Sequence, residues 1–164
     1  MEHSRTRRGL IKGALVAATS GAMAGPSTAP TGERGIGGFD HVAVPLRNAS
    51  AMAAFYRALG LTVNETDRVC SVHFGDQKIN FHQPALWKSK TFTLRASAAK
   101  PPCGDFCFVW EGSMDSLRVT LKRARADIEE GPVERTGGRA GGTVGMSVYV
   151  RDPDGNLVEF ILYP

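Results

Sequence analysis

The chain has 164 residues, 42% of them apolar, with 19 glycines and three cysteines. That length gives one domain, or one domain with a tail, able to bury a core without disulfide or metal staples, and the ordinary aromatic and charged fractions exclude a disordered, collagen-like or coiled-coil chain. The net charge of +4 points to no polyanionic partner: Arg5, Arg7, Arg8 and Lys12 face only Glu2 in residues 1–24, which leaves 16 basic and 15 acidic residues beyond them, and no nucleic-acid partner is expected.

At the N-terminus, Thr6-Arg7-Arg8-Gly9-Leu10-Ile11-Lys12 resembles the twin-arginine export motif. The weakly apolar stretch Gly13 to Ala24 ends in Ala22-Met23-Ala24, whose small residues at alternate positions suit cleavage before Gly25. This stretch is too short and too rich in Ala and Gly to span a membrane, and no apolar run of about 18 residues follows it. Residues 1–24 therefore read as a signal peptide and the mature protein as periplasmic, with no membrane segment; the alternative is an uncut basic tail. Residues 25–37 are rich in Pro, Gly, Ser and Thr without periodicity and read as a flexible linker, so the folded domain is expected to cover 38–164.

From Gly38 onward a mixed α and β pattern occurs twice. Phe39-Asp40-His41-Val42-Ala43-Val44 predicts a strand with Val42 and Val44 on one face and His41 and Ala43 on the other. Asn48 is placed to cap a helix through Met52, Phe55, Tyr56 and Leu59, closed by Gly60. Leu61-Thr62-Val63 is the next strand. Val69-Cys70-Ser71-Val72-His73-Phe74 then turns at Gly75-Asp76 into Lys78-Ile79-Asn80-Phe81-His82 as a hairpin. The second copy begins at Asp105-Phe106-Cys107-Phe108-Val109, 65 residues after Asp40. Ser113 caps a helix through Met114, Leu117, Leu121 and Ala124, and Ile128 begins a short strand. Gly137 to Gly142 reads as a mobile flap, since it lacks the strand-loop-helix context of a phosphate loop. Val144 to Val150 and Leu157 to Leu162 are strands joined by the tight turn Asp152-Pro153-Asp154-Gly155-Asn156. The fold class is α+β, with two tandem βαβββ modules at about 38–84 and 103–164.

Three of these segments resemble the vicinal oxygen chelate superfamily, which holds glyoxalases, bleomycin resistance proteins and extradiol dioxygenases. They are Asp40-His41-Val42 opening a strand, Ala54-Phe55-Tyr56 with Leu59-Gly60-Leu61, and Asp152-Pro153-Asp154-Gly155-Asn156-Leu157-Val158-Glu159. The resemblance covers nearly all of 38–164. Phe74 to His82 and Ile128 to Gly137 are similar to the glyoxalase domain-containing proteins. The resemblance implies a cup-shaped mixed sheet with a divalent metal in the cup, held by the first and last strands of the modules. It also implies a small-molecule substrate and, by default, a homodimer.

The metal is expected to be Zn, Mn, Fe or Ni, for which His and Glu are suitable donors. His41 lies opposite the valine face, where the imidazole is a ligand or, alternatively, a partly buried hydrogen-bonded ring. Glu159 interrupts an apolar strand, and a carboxylate there needs a metal or a basic partner. The superfamily's other ligand positions fall at Asn80 and Phe106. His82, two residues beyond Asn80 and so on the same face about 6.6 Å along the strand, completes a His41, His82 and Glu159 set. Asn80 and His73 are substrate-contact candidates. The three cysteines allow at most one internal disulfide, and their spacing is neither a zinc-ribbon nor a Cys-x-x-Cys pattern.

Two classes follow. In the first, a glyoxalase-like lyase or isomerase, the metal chelates adjacent substrate oxygens and Glu159 moves a proton. An extradiol-dioxygenase-like enzyme is its catalytic rival. The second class is a non-catalytic protein that binds and sequesters a small molecule.

Overall fold

The computed structural model describes residues 35–164, and both the signal-peptide segment and linker residues 25–34 lie outside them. Within Gly38–Pro164 the two copies are both formed as βαβββ. The first comprises β1 (His41–Pro45), α1 (Ala49–Ala58), β2 (Thr62–Glu65), β3 (Val69–Phe74) and β4 (Gln77–His82). After the short α2 (Pro84–Trp87) come β5 (Asp105–Val109), α3 (Met114–Ala124), β6 (Ile128–Thr136), β7 (Val144–Arg151) and β8 (Leu157–Leu162). The architecture is α+β as the pattern requires, with two four-stranded mixed sheets ordered β1-β4-β3-β2 and β5-β8-β7-β6. In each sheet the first and last strands of the module pair in parallel and the rest are antiparallel.

Local chemistry sets the helix ends. The Asn48 side chain accepts a hydrogen bond from the Ala51 N–H at 3.1 Å, and Gly60, at φ +95°, takes the left-handed turn that ends α1. Ser113 caps α3 in the same way through the Ser116 N–H at 3.1 Å. β6 is longer than the short strand expected, with nine residues, and its register against β7 shifts twice between Ile128 and Val133. Pro132 cannot donate to the ladder there, and Gly131 sits at φ +112° where a Cβ would lie 2.4 Å from the Ser147 carbonyl oxygen.

The apolar faces of both sheets belong to one core. Val44, Val72, Ile79 and Phe81 pack under Met52 and Tyr56 of α1, while Val148, Val150, Val158 and Phe160 pack with Leu117 and Leu121 of α3. Rings join the two halves, with Phe81 to Phe106 at 6.0 Å and Phe74 to Phe108 at 5.1 Å between centroids.

A buried polar turn fastens the modules together. Asp152, Asp154 and Asn156 are 4%, 4% and 1% exposed. The Asp152 carboxylate accepts from the Asp154 and Asn156 N–H groups, the Asn156 side-chain amide and, across the module boundary, the Tyr56 hydroxyl at 3.1 Å. Asp154 accepts from the N–H groups of Arg47 and Asn48 just before α1, and Asn156 Oδ1 accepts from those of Cys103 and Gly104 just before β5. Burial pushes the Asp152 carboxyl up, opposed by these hydrogen bonds, and pushes the Tyr56 phenol far up, so the phenol stays a donor.

Removing one partner of such a pair leaves a desolvated group without its bond. Tyr56→Phe and Asp154→Ala are each expected to lower unfolding stability by about 1.5–3 kcal/mol, against within about 0.5 kcal/mol for Asp76→Ala on the exposed β3–β4 turn. Urea denaturation of the three variants measures this, and equal midpoints would show that the turn does not fasten the modules.

Candidate functional site

Because the apolar faces share one core, the opposite faces of the two sheets are turned outward, and the polar candidates divide between them. On the first sheet His41 pairs with Lys78, Ala43 with Asn80 and Pro45 with His82, while β3 sets His73 beside Lys78 and Ser71 beside Asn80. The His41 Nδ1 lies 2.5 Å from Asp40 Oδ1, and that hydrogen bond holds the Asp40 carboxyl below its usual range. Asn80 Oδ1 is occupied by the Ser71 hydroxyl at 2.7 Å, which leaves its amide N–H groups to donate. His73 Nε2 faces the Asn64 side-chain amide at 3.3 Å, so it belongs to the β2 side of the sheet.

On the second sheet Glu159 is half-buried between Cys107 of β5 and Tyr149 of β7, its register partners. The Ser147 hydroxyl donates to Glu159 Oε1. The Cys107 thiol is pushed up to about 12, first by burial and then by the charge and hydrogen bond of Glu159, so it is a protonated donor. Burial also raises the Tyr149 phenol, with Glu159 adding to the rise and Arg135 opposing it. Arg135 Nε donates to the Tyr149 oxygen at 3.1 Å, its guanidinium lies 5.5 Å from the ring centroid, and Nη2 reaches Glu130 at 2.8 Å. Glu159 therefore has the Ser147 hydroxyl as its hydrogen-bond donor, with the Cys107 thiol and the Tyr149 phenol beside it in register.

His82 pairs with Pro45, four positions from the level of His41, which is about 13 Å along the strand. The imidazole packs edge-on to Phe92 at 5.3 Å. Phe106 points into the core against Phe81, so the outward position of β5 that corresponds to His41 of β1 is Asp105, each being the first residue of its strand. Asp105 is exposed. The alternation of Phe106 with Phe108 on one face and Asp105 with Cys107 on the other is the signal that finds it.

A divalent metal needs three or four donors at roughly 2.0–2.6 Å from one point. Among the described residues no group of three or more His, Cys, Asp or Glu is placed to hold one. The donors are chemically suitable but a single chain does not gather them. The cysteines are all free thiols, with Cys70 buried. The glycine-rich segment forms a short 3-10 turn at Arg139–Gly141, tethered through Arg139 to Glu111 at 3.8 Å and over the Tyr163 ring at 5.0 Å.

Comparison with known proteins bears on this arrangement. A family model, Glyoxalase/Bleomycin resistance protein/Dioxygenase superfamily, matches residues 38–160. The chain is 37% identical over 125 residues to the glyoxalase domain-containing protein RDO1 of Mycosarcoma maydis, spanning 76% of this chain and 67% of that protein. It is 37% identical over 126 residues to virulence protein STM3117 of Salmonella typhimurium, spanning 76% and 83%. The crystal structure of the latter matches with a TM-score of 0.68 at 35% identity over 80% of this chain and 100% of that one. Lactoylglutathione lyase from Agrobacterium tumefaciens, at 21% identity and a TM-score of 0.58 over 78% of this chain and 95% of that chain, shares the fold.

Burial against its neighbours lowers the His82 pKa, so folding favours the neutral ring. The sign is then fixed: this contribution is fully present above the unfolded value of about 6.5 and is lost as pH falls through the lower folded value. Thermal melts from pH 7 to pH 5 should show a shallower loss of Tm in His82→Asn than in the parent, and parallel losses would contradict the assignment.

Proposed function

The chain belongs to the Glyoxalase/Bleomycin resistance protein/Dioxygenase superfamily, and on that premise we propose that it is a metal-dependent enzyme of glyoxalase-like, lyase or isomerase type. Its substrate is a small molecule with adjacent oxygens. Its metal set is completed by a second copy of the chain, with His41 on one subunit facing the partner's Asp105 and the partner's Glu159, and Asn80 beside them as a substrate contact.

The observation that supports this reading most is the division of the polar donors between two sheets, His41 and Asn80 on the first and Asp105 and Glu159 on the second. A homodimer that sets the first sheet of one subunit against the second sheet of the other closes the cup twice by symmetry. The donor set of one imidazole and two carboxylates suits a borderline or hard divalent ion such as Zn, Mn, Fe or Ni, while Asn80, its Oδ1 taken by Ser71, presents amide N–H groups to the substrate. When bound, the metal supplies Lewis-acid polarisation of the substrate oxygens. Glu159 is the proton-transfer residue, since the Ser147 hydroxyl takes Oε1 and fixes the carboxylate plane, leaving Oε2 to accept a proton from a substrate carbon and return it. The dioxygenase alternative is weakened by Asp105, because β5 offers a carboxylate where a two-histidine iron site wants its second imidazole. With the twin-arginine segment read as an export signal, the enzyme works in the periplasm.

Metal content by plasma mass spectrometry, with light scattering for mass, tests the reading. A dimer carrying near one equivalent per chain is expected, lost in His41→Ala, Asp105→Ala and Glu159→Ala and kept in His82→Ala. Mixing unfolded His41→Ala and Glu159→Ala chains and refolding them should restore about a quarter of an equivalent per chain, because half the dimers then hold one intact shared site. A monomer that holds metal, or a mixture with none restored, would overturn the shared site.

A further inference from the structure

A cavity lies at the seam between β5 and the first module, reached along β5 past Cys107 and Val109. It has a volume of about 500 Å³, within the range of roughly 300–1,000 Å³ typical of small-molecule sites. Four rings form one wall. Phe74 meets Phe108 edge to face at 5.1 Å, Phe108 lies 6.0 Å from Phe160, and Trp110 meets Phe160 edge to face at 6.2 Å. The Trp110 indole is held by its N–H donating to the Ser116 hydroxyl at 3.1 Å, so this wall is preformed. Leu59 and Leu61 also line the cavity, at the end of α1 and the approach to β2.

The polar groups around the cavity choose its occupant. Among the described residues no lysine or arginine lines it, whereas Glu111 and Gln77 do. Glu111 is weakly occupied: its one ion pair, to Arg139, spans 3.8 Å between groups that are 85% and 52% exposed. Arg139 has a second seat over the Tyr163 ring at 5.0 Å, so it can leave Glu111 without losing all its contacts. Ring faces attract cations as well, Trp most of all. An anionic ligand finds nothing here.

We propose that this seam cavity is a binding site for a small aromatic amine, its planar body held by the four rings and its ammonium group taken by Glu111 in place of Arg139. The site requires no metal and no second subunit, and stands apart from the enzyme reading above.

Fluorescence titration of the full chain in the presence of a chelator reads the site directly, because Trp110 lines it while Trp87 is anchored elsewhere by its bond to the Leu46 carbonyl. The probes are 2-phenylethylamine, 2-phenylethanol and phenylacetate, which share one body and differ in the charge of the head. The amine should bind about three- to fivefold more tightly than the alcohol, the size expected of a solvent-exposed ion pair, with the acid weakest. Glu111→Gln should bring the amine to the level of the alcohol and leave the alcohol unchanged. Arg139→Gln should tighten the amine about two- to threefold by removing its competitor. Trp110→Phe should abolish the signal while calorimetry still detects binding. No saturable response at millimolar amine, equal affinity for all three heads, or a dimer in which Trp110 is shielded from acrylamide would overturn the proposal, the last by showing that a second copy fills the seam.

Discussion

Everything in this domain is arranged around the buried turn Asp152-Pro153-Asp154-Gly155-Asn156. Three polar side chains, each nearly free of solvent contact, are tolerable in a core only when their lone pairs are used, and here they are used across the module boundary. Asp152 reaches Tyr56 inside α1, Asp154 reaches the backbone just before α1, and Asn156 reaches the backbone just before β5. One turn therefore fixes three elements of two modules. An apolar turn of the same shape could bury as much surface but would leave the exposed N–H groups before α1 and β5 without acceptors, and the modules free to slide.

That fastening dictates what each sheet can show to solvent. Once the apolar faces are joined in one core through Phe81, Phe106, Phe74 and Phe108, the polar candidates of the two sheets lie on the opposite faces, and among the described residues no three His, Cys, Asp or Glu gather at one point. Glu159 stands three residues after Asn156, so the turn also sets the point at which β8 enters the sheet and hence the level of the carboxylate against Cys107 and Tyr149. Position is the contribution of the turn to the site; the donors around Glu159 then hold the carboxylate in one orientation.

The fold was legible because periodicity carries it. Alternation along β1, β3, β4 and β8, the caps at Asn48 and Ser113, and the Gly60 stop are local features, and each formed as the pattern requires. The family was legible from its longest motif, whose turn residues Asp152, Asp154 and Asn156 prove to be the intermodule fastening. The candidate site was legible in part. His41 and Glu159 lie on the outward faces that alternation gives them, whereas His82 shares a face with Asn80 but not a level with His41, and level depends on strand register, a long-range property. The outward place of Asp105 follows from asking which of two adjacent residues shares parity with the core aromatics Phe106 and Phe108: Phe106 shares it with Phe108, and Asp105 does not.

β5 carries the sharpest contrast in the molecule. As an edge strand it presents Asp105, Cys107 and Val109 outward while Phe106 and Phe108 enter the core, so a carboxylate face and an aromatic seam are separated by the thickness of one strand. Cys107 belongs to both: it donates to Glu159 and it lines the seam cavity. A carboxylate or amine at that position would carry charge into the aromatic wall, and an aliphatic side chain would deprive Glu159 of a donor. A thiol held protonated by burial and by Glu159, its pKa pushed up to about 12, does neither. It is weakly polar toward the carboxylate, apolar toward the rings and unreactive at neutral pH, which keeps the polar and apolar sides of β5 chemically distinct although they meet at a single side chain.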